Sequence, residues 1–306
     1  MYPEGGLRLA GDDVVLVDDA ASADVLVCPT MLSALAQDRR RWESFWSERE
    51  VRARPQRVVC FDVSDAVPMP PQPGAIYLRC GLTRAQLAQY PTAVAFPWPA
   101  PDLGRWAAQY PAQADRWDVA FVGWRTPLDV TPRACWSIGR TFGARAHYTL
   151  RDEFHGDRHR RAGNHRPGEP LTPDGHLKGD LAENERREQE YRDAVFGASL
   201  SLAPQSIVGV MRYRIGETMA AGRVPVWIGH DYVLPFADRL PWADVCVFVP
   251  TEHVDRTGDY CAEWLATHDV AAAGRHARQC WERWLDPNLW PALTTQVVRE
   301  RLAVEA

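Results

Sequence analysis

The residues most able to do chemistry lie within Met211-Arg-Tyr-Arg-Ile-Gly-Glu-Thr-Met-Ala-Ala-Gly-Arg-Val-Pro-Val-Trp-Ile228, where Arg214 and Glu217 stand three apart. On a helix that spacing puts both side chains on one face. The pair is predicted near the start of a helix, just after a loop that begins at Pro204 and runs through Gly209. A helix N-terminus offers unpaired amides and partial positive charge to an anion. A guanidinium there adds a bidentate phosphate contact, and a carboxylate accepts hydrogen bonds from ribose hydroxyls. Together these groups suit a nucleoside diphosphate. In isolation the same spacing is an ordinary helical ion pair worth roughly 0.2–0.5 kcal/mol, so the surrounding elements have to decide.

Those elements read as two α/β series. In the first, Val14-Val-Leu-Val17, Asp24–Cys28, Arg57–Phe61, Ala75–Leu78 and Val94–Phe96 are short apolar runs, and Leu32–Glu50 has a helical pattern. Short β-branched runs separated by helices predict a parallel sheet covered on both faces. Pro97-Trp-Pro-Ala-Pro101 then interrupts, as a linker or a cleft-lining loop, because proline removes amide donors and restricts its neighbour. In the second series Trp117–Val122, Ala146–Thr149, Ser199–Leu202, Val224–Ile228 and Val245–Val249 are strands. Pro132–Phe142, Glu183–Val195 and Tyr213–Ala221 are helices, and residues 151–182 form a long loop. Helices follow Tyr260, divided at Pro287 and Pro291. Two such series predict two doubly wound domains, with ligands beyond the carboxyl ends of their strands.

Composition removes several alternatives. With 306 residues, 46% apolar and 25% charged, the chain has the make-up of a soluble globular protein. A net charge of -5 gives no whole-chain case for a polyanion partner. The seven cysteines show no CxxC spacing and are read as reduced core thiols. No zinc motif holds His155, His159 or His165, and no metal site is expected. Neither a secretory leader nor a run of about 18 apolar residues is visible, so a cytoplasmic protein without a membrane span is expected.

Tyr191 through Pro250 resembles the exostosin family of glycosyltransferases. The family's pattern is an aromatic-led helix, a strand "F-x-L-x-P", a loop, "R-x-x-E-A-x-x-x-G-x-x-P-V", and "LPF" before an apolar strand. Here stand Leu200-Ser-Leu-Ala-Pro204, Arg214-x-x-Glu217, Gly222-x-x-Pro225-Val226, Tyr232-Val-Leu-Pro-Phe236 and Val245-Cys-Val-Phe-Val249. Weaker similarity covers Ala23–Pro29, Phe61–Ala66 and Val119–Gly123. Leu200 stands for the usual Phe, Thr218 for Ala, and Arg212 where Ser is common.

The resemblance implies a GT-B fold: two facing Rossmann-like doubly wound domains with C-terminal helices. Residues 1–100 would form the acceptor side, 101–290 the nucleotide-sugar side, and 291–306 a helix packing back on the first domain. It implies an inverting, metal-independent transfer from a nucleotide-diphosphate sugar, a UDP-sugar by preference, to a hydroxyl of a glycan, small molecule or modified nucleobase. Arg214 would hold the diphosphate and Glu217 the ribose, and Gly209, Arg212 and His230 would also line the donor. Inversion needs a base on the acceptor; Asp62 and Asp65 follow a first-domain strand and are the candidates, with turn or N-cap chemistry as the competing reading. Gly123 and Arg125, at a strand end, either approach the donor or make a turn.

Other functions stay open at this stage. Pro225-Val-Trp-Ile-Gly229 fits a fucosyltransferase-like strand end, but Thr218 and Leu234-Pro-Phe236 do not fit that family. A DNA-base glycosyltransferase would need a basic face, which only residues 151–166 and Arg39-Arg-Arg41 offer. A non-catalytic glycan-binding relative would have little need for both Arg214 and Glu217.

Overall fold

The computed structural model describes residues 15, 19–28, 30, 32–62, 71–72, 74–97, 107–109, 115–125, 130–151, 181–205, 213–229 and 231–304. Among them the first sheet contains β1 (Leu26–Val27), β2 (Val58–Asp62), β3 (Ile76–Arg79) and β4 (Ala93–Ala95), in that order and all parallel. The second contains β5 (Trp117–Trp124), β6 (Ala146–Arg151), β7 (Ala198–Pro204), β8 (Val224–Ile228) and β9 (Val247–Val249). Its spatial order is β6-β5-β7-β8-β9, again all parallel. Every residue of β2, β3, β7 and β8 is buried, as strands covered on both faces must be. Pro225 is tolerated in an interior strand because β9 pairs only from Val226 onward.

Helices among the described residues include α1 (Leu32–Gln37), α2 (Arg39–Ser47), α3 (Arg49–Ala53), α4 (Arg84–Gln89), α5 (Val130–Phe142), α6 (Leu181–Phe196), α7 (Arg214–Ala220), α8 (Trp242–Val245), α9 (Thr257–Thr267), α10 (Val270–Trp284) and α11 (Trp290–Val304). Three differ from the expectation in instructive ways. The pattern at Leu32–Glu50 is broken where Asp38 accepts from the Arg40 and Arg41 amides, both at 3.1 Å, and starts a new helix. Val245 ends α8 instead of opening a strand. Pro291 breaks nothing: it sits in the first turn of α11, where its missing N–H has no intrahelical partner to lose. The strand expected over 14–17, apart from Val15, and residues 98–101 of the proline stretch lie outside the described residues. So does the 151–182 loop, except that Arg151 ends β6 and Leu181 opens α6.

One apolar core joins the two sheets. It contains Val59, Phe61, Ile76, Leu78 and Phe96 from the first series, Ile215, Met219, Trp227 and Trp281 from the second, and Leu293, Val297 and Val298 of α11. Phe96 meets Trp290 of α11 edge-on, with centroids 4.9 Å apart. The backbone also crosses between them. Arg84 N donates to the Asp231 carbonyl at 3.0 Å and Val233 N to the Leu82 carbonyl at 2.9 Å. Thus the chain just after β8 is fastened to the turn after β3. No helix among the described residues is long and apolar enough to cross a membrane.

Candidate functional site

Numbered within its own series, the second sheet runs 2-1-3-4-5. That order reverses between β5 and β7, because the chain leaves β5 toward one side and returns on the other. Beyond the carboxyl ends of two such strands a crevice opens, and ligands of open α/β sheets bind there. Gly123 and Arg125 lie at the end of β5, and α7, which begins at Arg214, follows β7. Topology therefore brings together residues that are 91 positions apart in the chain, from 123 to 214.

The short helix α7 is held from both ends. Seven residues are too few for a helix to be stable by itself, so tertiary contacts must fix it. Its carboxyl end turns at Gly222, whose φ of 66° is left-handed. Arg278 Nη1 donates to the Ala220 carbonyl at 2.5 Å. The backbone of α10 comes so close that a Cβ on Gly274 would lie 2.3 Å from the Gly222 oxygen.

At the other end the Arg214 guanidinium lies close to two rings. Its central carbon is 4.6 Å from the Phe121 centroid and 4.6 Å from that of Tyr191. Nη2 donates to the Val122 carbonyl at 2.9 Å. Nη1 is buried and has no hydrogen-bond partner among the described residues. Gly123 makes this approach feasible, since a Cβ there would be 2.8 Å from Nη2. Phe121 and Gly123 share one face of β5 through the two-residue strand period.

Every one of these contacts is with a neutral group. Other arginines in similarly enclosed positions face carboxylates: Arg79 faces Asp62, Arg151 faces Glu190, and Arg223 faces Asp115. Charge on a partly buried guanidinium is costly unless it is compensated. Arg214 has an oriented carbonyl and two π faces, which hold the cation without cancelling its charge.

Glu217, one turn along α7, is buried, with 7% of its surface exposed. Tyr191 Oη donates to Glu217 Oε2 at 2.5 Å. Burial pushes the Tyr191 phenol well above its ordinary range, with Arg214 opposing the shift and Glu217 adding to it. The neighbouring Glu190 accepts from Thr149 at 2.7 Å and pairs with Arg151. Although burial works against its charge, these partners hold the Glu190 carboxyl below its usual range. They pin α6 to the end of β6. Behind the site, burial pushes the Cys135 thiol up to about 12, with Arg214 acting in the opposite direction.

The sequence-derived residues fall into three groups. Gly123, Arg214 and Glu217 are brought into one cluster, and Arg125 stands exposed at the same strand end, its N–H donating to the Arg151 carbonyl at 2.7 Å. Asp65, Gly209, Arg212 and His230 lie outside the described residues. Asp62 ends β2 beside its register partner Arg79. Both side chains are 0% exposed, with Asp62 Oδ1 3.7 Å from Arg79 Nη1, and Arg79 Nη1 also donates to Tyr77 Oη at 3.1 Å. As it stands, this carboxylate has no surface from which to meet an acceptor. Two residues escaped the sequence reading, Tyr191 and Phe121. Their signal was the lead aromatic of the resemblance for one, and the strand period shared with Gly123 for the other.

All seven cysteines are free and buried. Among the described residues no cluster of His, Cys, Asp or Glu is arranged to hold a metal ion.

No family model matches the chain. Over 43 residues, 14% of this chain, it is 49% identical to a protein named "Probable glucuronosyltransferase" from Oryza sativa subsp. japonica. A second such rice protein is also 49% identical over 43 residues. A "Probable beta-1,4-xylosyltransferase" of Arabidopsis thaliana is 49% identical over 41 residues, 13% of this chain. The matched stretch spans only 10% of the length of each of these relatives. A glycosyltransferase from Rickettsia africae ESF-5 superposes with a TM-score of 0.43 and 8% identity, over 89% of this chain and 79% of the other. The chain is thus similar over a short stretch to plant glycosyltransferases, and its second parallel sheet has a reversal of strand order between β5 and β7.

Proposed function

We propose that this chain is a glycosyltransferase of exostosin-like type that takes its sugar from a nucleoside-diphosphate donor. The observation that carries the reading is the Arg214 guanidinium, enclosed at the switch point by neutral partners, with Nη1 buried and unbonded. The short similarity to plant transferases supports the reaction class.

In this reading Arg214 receives the diphosphate and Glu217 the ribose diol. When the glycosidic bond to phosphate breaks, negative charge grows on the leaving diphosphate. A fixed cation in a water-poor site stabilises that charge more in the transition state than in the ground state. Arg214 would provide this without a metal ion. Inversion requires one displacement, with a carboxylate taking the acceptor's proton. Of the two first-series candidates, Asp62 would first have to leave Arg79, so Asp65 is the base we propose. The preference for a UDP-sugar and for a hydroxyl acceptor follows from the exostosin resemblance alone.

The test is nucleotide binding by wild type and Arg214→Ala. Thermal unfolding with UDP, GDP, ADP and CDP should show stabilisation by at least one, of about 2.7 kcal/mol at a hundredfold excess over Kd. Arg214→Ala should lose about 1.5–3 kcal/mol of that binding, the usual contribution of a charge-assisted hydrogen bond. A folded variant with unchanged affinity would place the diphosphate elsewhere.

A further inference from the structure

We propose that Tyr191 is a positioning residue of the donor site, whose hydroxyl orients Glu217 toward the ribose and whose ring braces Arg214. This rests on the donor reading above and deepens it. One side chain reaches both donor ligands: the ring lies 4.6 Å from the Arg214 carbon, and Oη is 2.5 Å from Glu217 Oε2. It comes from α6, a different element from the helix that carries its two partners.

The arrangement resolves a conflict inherent in the Arg-x-x-Glu spacing. Left alone on a helix face, the two side chains attract and neutralise one another. Tyr191 provides Glu217 with a neutral hydrogen-bond donor and Arg214 with a neutral face. Each charged group is thereby held in place by a neutral neighbour. The phenol stays protonated, because burial raises it far above the ordinary range. Its O–H therefore donates at any working pH. Glu190 at the preceding position ties α6 to Thr149 and Arg151, which sets the rotation at which Tyr191 enters the site.

The hydroxyl and the ring can be tested separately. Tyr191→Phe keeps the ring and removes the hydroxyl. Wild type and variant are titrated with UDP, GDP, ADP and CDP, with their 2′,3′-dideoxy counterparts, and with inorganic pyrophosphate. In Tyr191→Phe the preference for ribo- over dideoxynucleotide should fall about tenfold, while pyrophosphate affinity holds within about twofold, since only the Glu217 contact is disturbed. Glu217→Gln should lose the same preference, and the double variant should lose no more than either alone. Such non-additivity is expected of one coupled unit and not of two independent structural roles. Tyr191→Leu, which removes the ring, should also weaken pyrophosphate binding.

An unchanged ribo-to-dideoxy preference in folded Tyr191→Phe overturns the proposal while leaving the donor reading intact, and additive losses overturn it as well. A wild-type protein that binds none of the nucleotides overturns the donor reading and this inference together. Should Tyr191→Phe fold poorly, Glu217→Gln with Tyr191 intact gives the comparison: retention of the full ribose preference there also overturns the proposal.

Discussion

A Cβ at position 123 would lie 2.8 Å from Arg214 Nη2, 2.9 Å from Phe121 Cζ and 3.3 Å from Phe121 Cε1. Gly123→Ala therefore introduces one methyl group at the tightest point of the proposed site. Ordinarily the end of an arginine side chain would swing aside at little cost. Here the guanidinium has the Phe121 and Tyr191 ring centroids each 4.6 Å from its central carbon, and Phe121 is itself buried, at 3% exposure. Displacing the guanidinium would disturb the 2.9 Å bond to the Val122 carbonyl. A hydrogen bond from a charged donor contributes about 1.5–3 kcal/mol. Losing that orientation should weaken nucleoside-diphosphate binding by about 10- to 100-fold, at about 1.4 kcal/mol per decade. Overpacking should also cost about 1–3 kcal/mol of folding stability. Isothermal titration calorimetry gives the first quantity and urea unfolding the second. Gly139→Ala is the matched control, because its Cβ would lie 2.9 Å from Tyr148 Cε1, and Tyr148 is 39% exposed and free to yield. The control should keep full affinity. If Gly123→Ala folds and binds within about twofold of wild type, Arg214 is not held as argued, or it is not the diphosphate ligand.

Two further predictions concern an ion pair of the first sheet and a histidine of the second. Asp62→Asn should destabilise the protein by about 3–5 kcal/mol in urea unfolding, because it removes the carboxylate that faces the buried Arg79 charge. The double variant Asp62→Leu with Arg79→Met should recover most of that loss, whereas an Asp62 that acts solely as a catalytic base would leave stability nearly unchanged. His147 stacks on Trp117 with centroids 4.3 Å apart, and burial lowers its pKa below the ordinary 6.5, against the opposing charge of Glu190. A depressed histidine favours the unfolded state once protonated, so its contribution is present above pH 6.5 and lost as pH falls below it. His147→Phe should flatten that part of the profile in unfolding experiments between about pH 7.5 and about pH 5.

What could be read from the sequence follows the range of the interactions. The buried strands β2, β3 and β8 are largely apolar runs and β7 alternates leucine with serine, and local composition was enough to place them. Gly222 and Pro225 bracket the turn between α7 and β8, so that boundary was equally plain. The Asp62–Arg79 pair was not, because it depends on the register between β2 and β3, which joins positions 62 and 79 only in the folded sheet. Asp62 looked like a cleft residue because it ends a strand, and that inference ignores which side chain stands beside it. Val245 belongs to α8 although the run Val245–Val249 has the composition of a strand. A run of apolar residues sets burial more firmly than it sets the kind of element.

The same reasoning explains why Arg214 and Glu217 were visible while their arrangement was not. Spacing on a helix shows that two side chains share a face, and the simplest outcome is that they pair. Tyr191, 26 positions before Glu217, intervenes with one hydroxyl and one ring. Phe121 and the Val122 carbonyl, from the end of β5, enclose the other side of the guanidinium. Residues of β5 and α6 thus place neutral groups beside the guanidinium, and α6 places a phenol beside the carboxylate. A diphosphate linked to a ribose presents the complementary groups: negative oxygens for the cation and hydroxyl donors for the carboxylate. A monophosphate or a free sugar would engage one of the two and leave the other unused. Under the proposed donor reading, a nucleoside diphosphate is the ligand that would engage both Arg214 and Glu217.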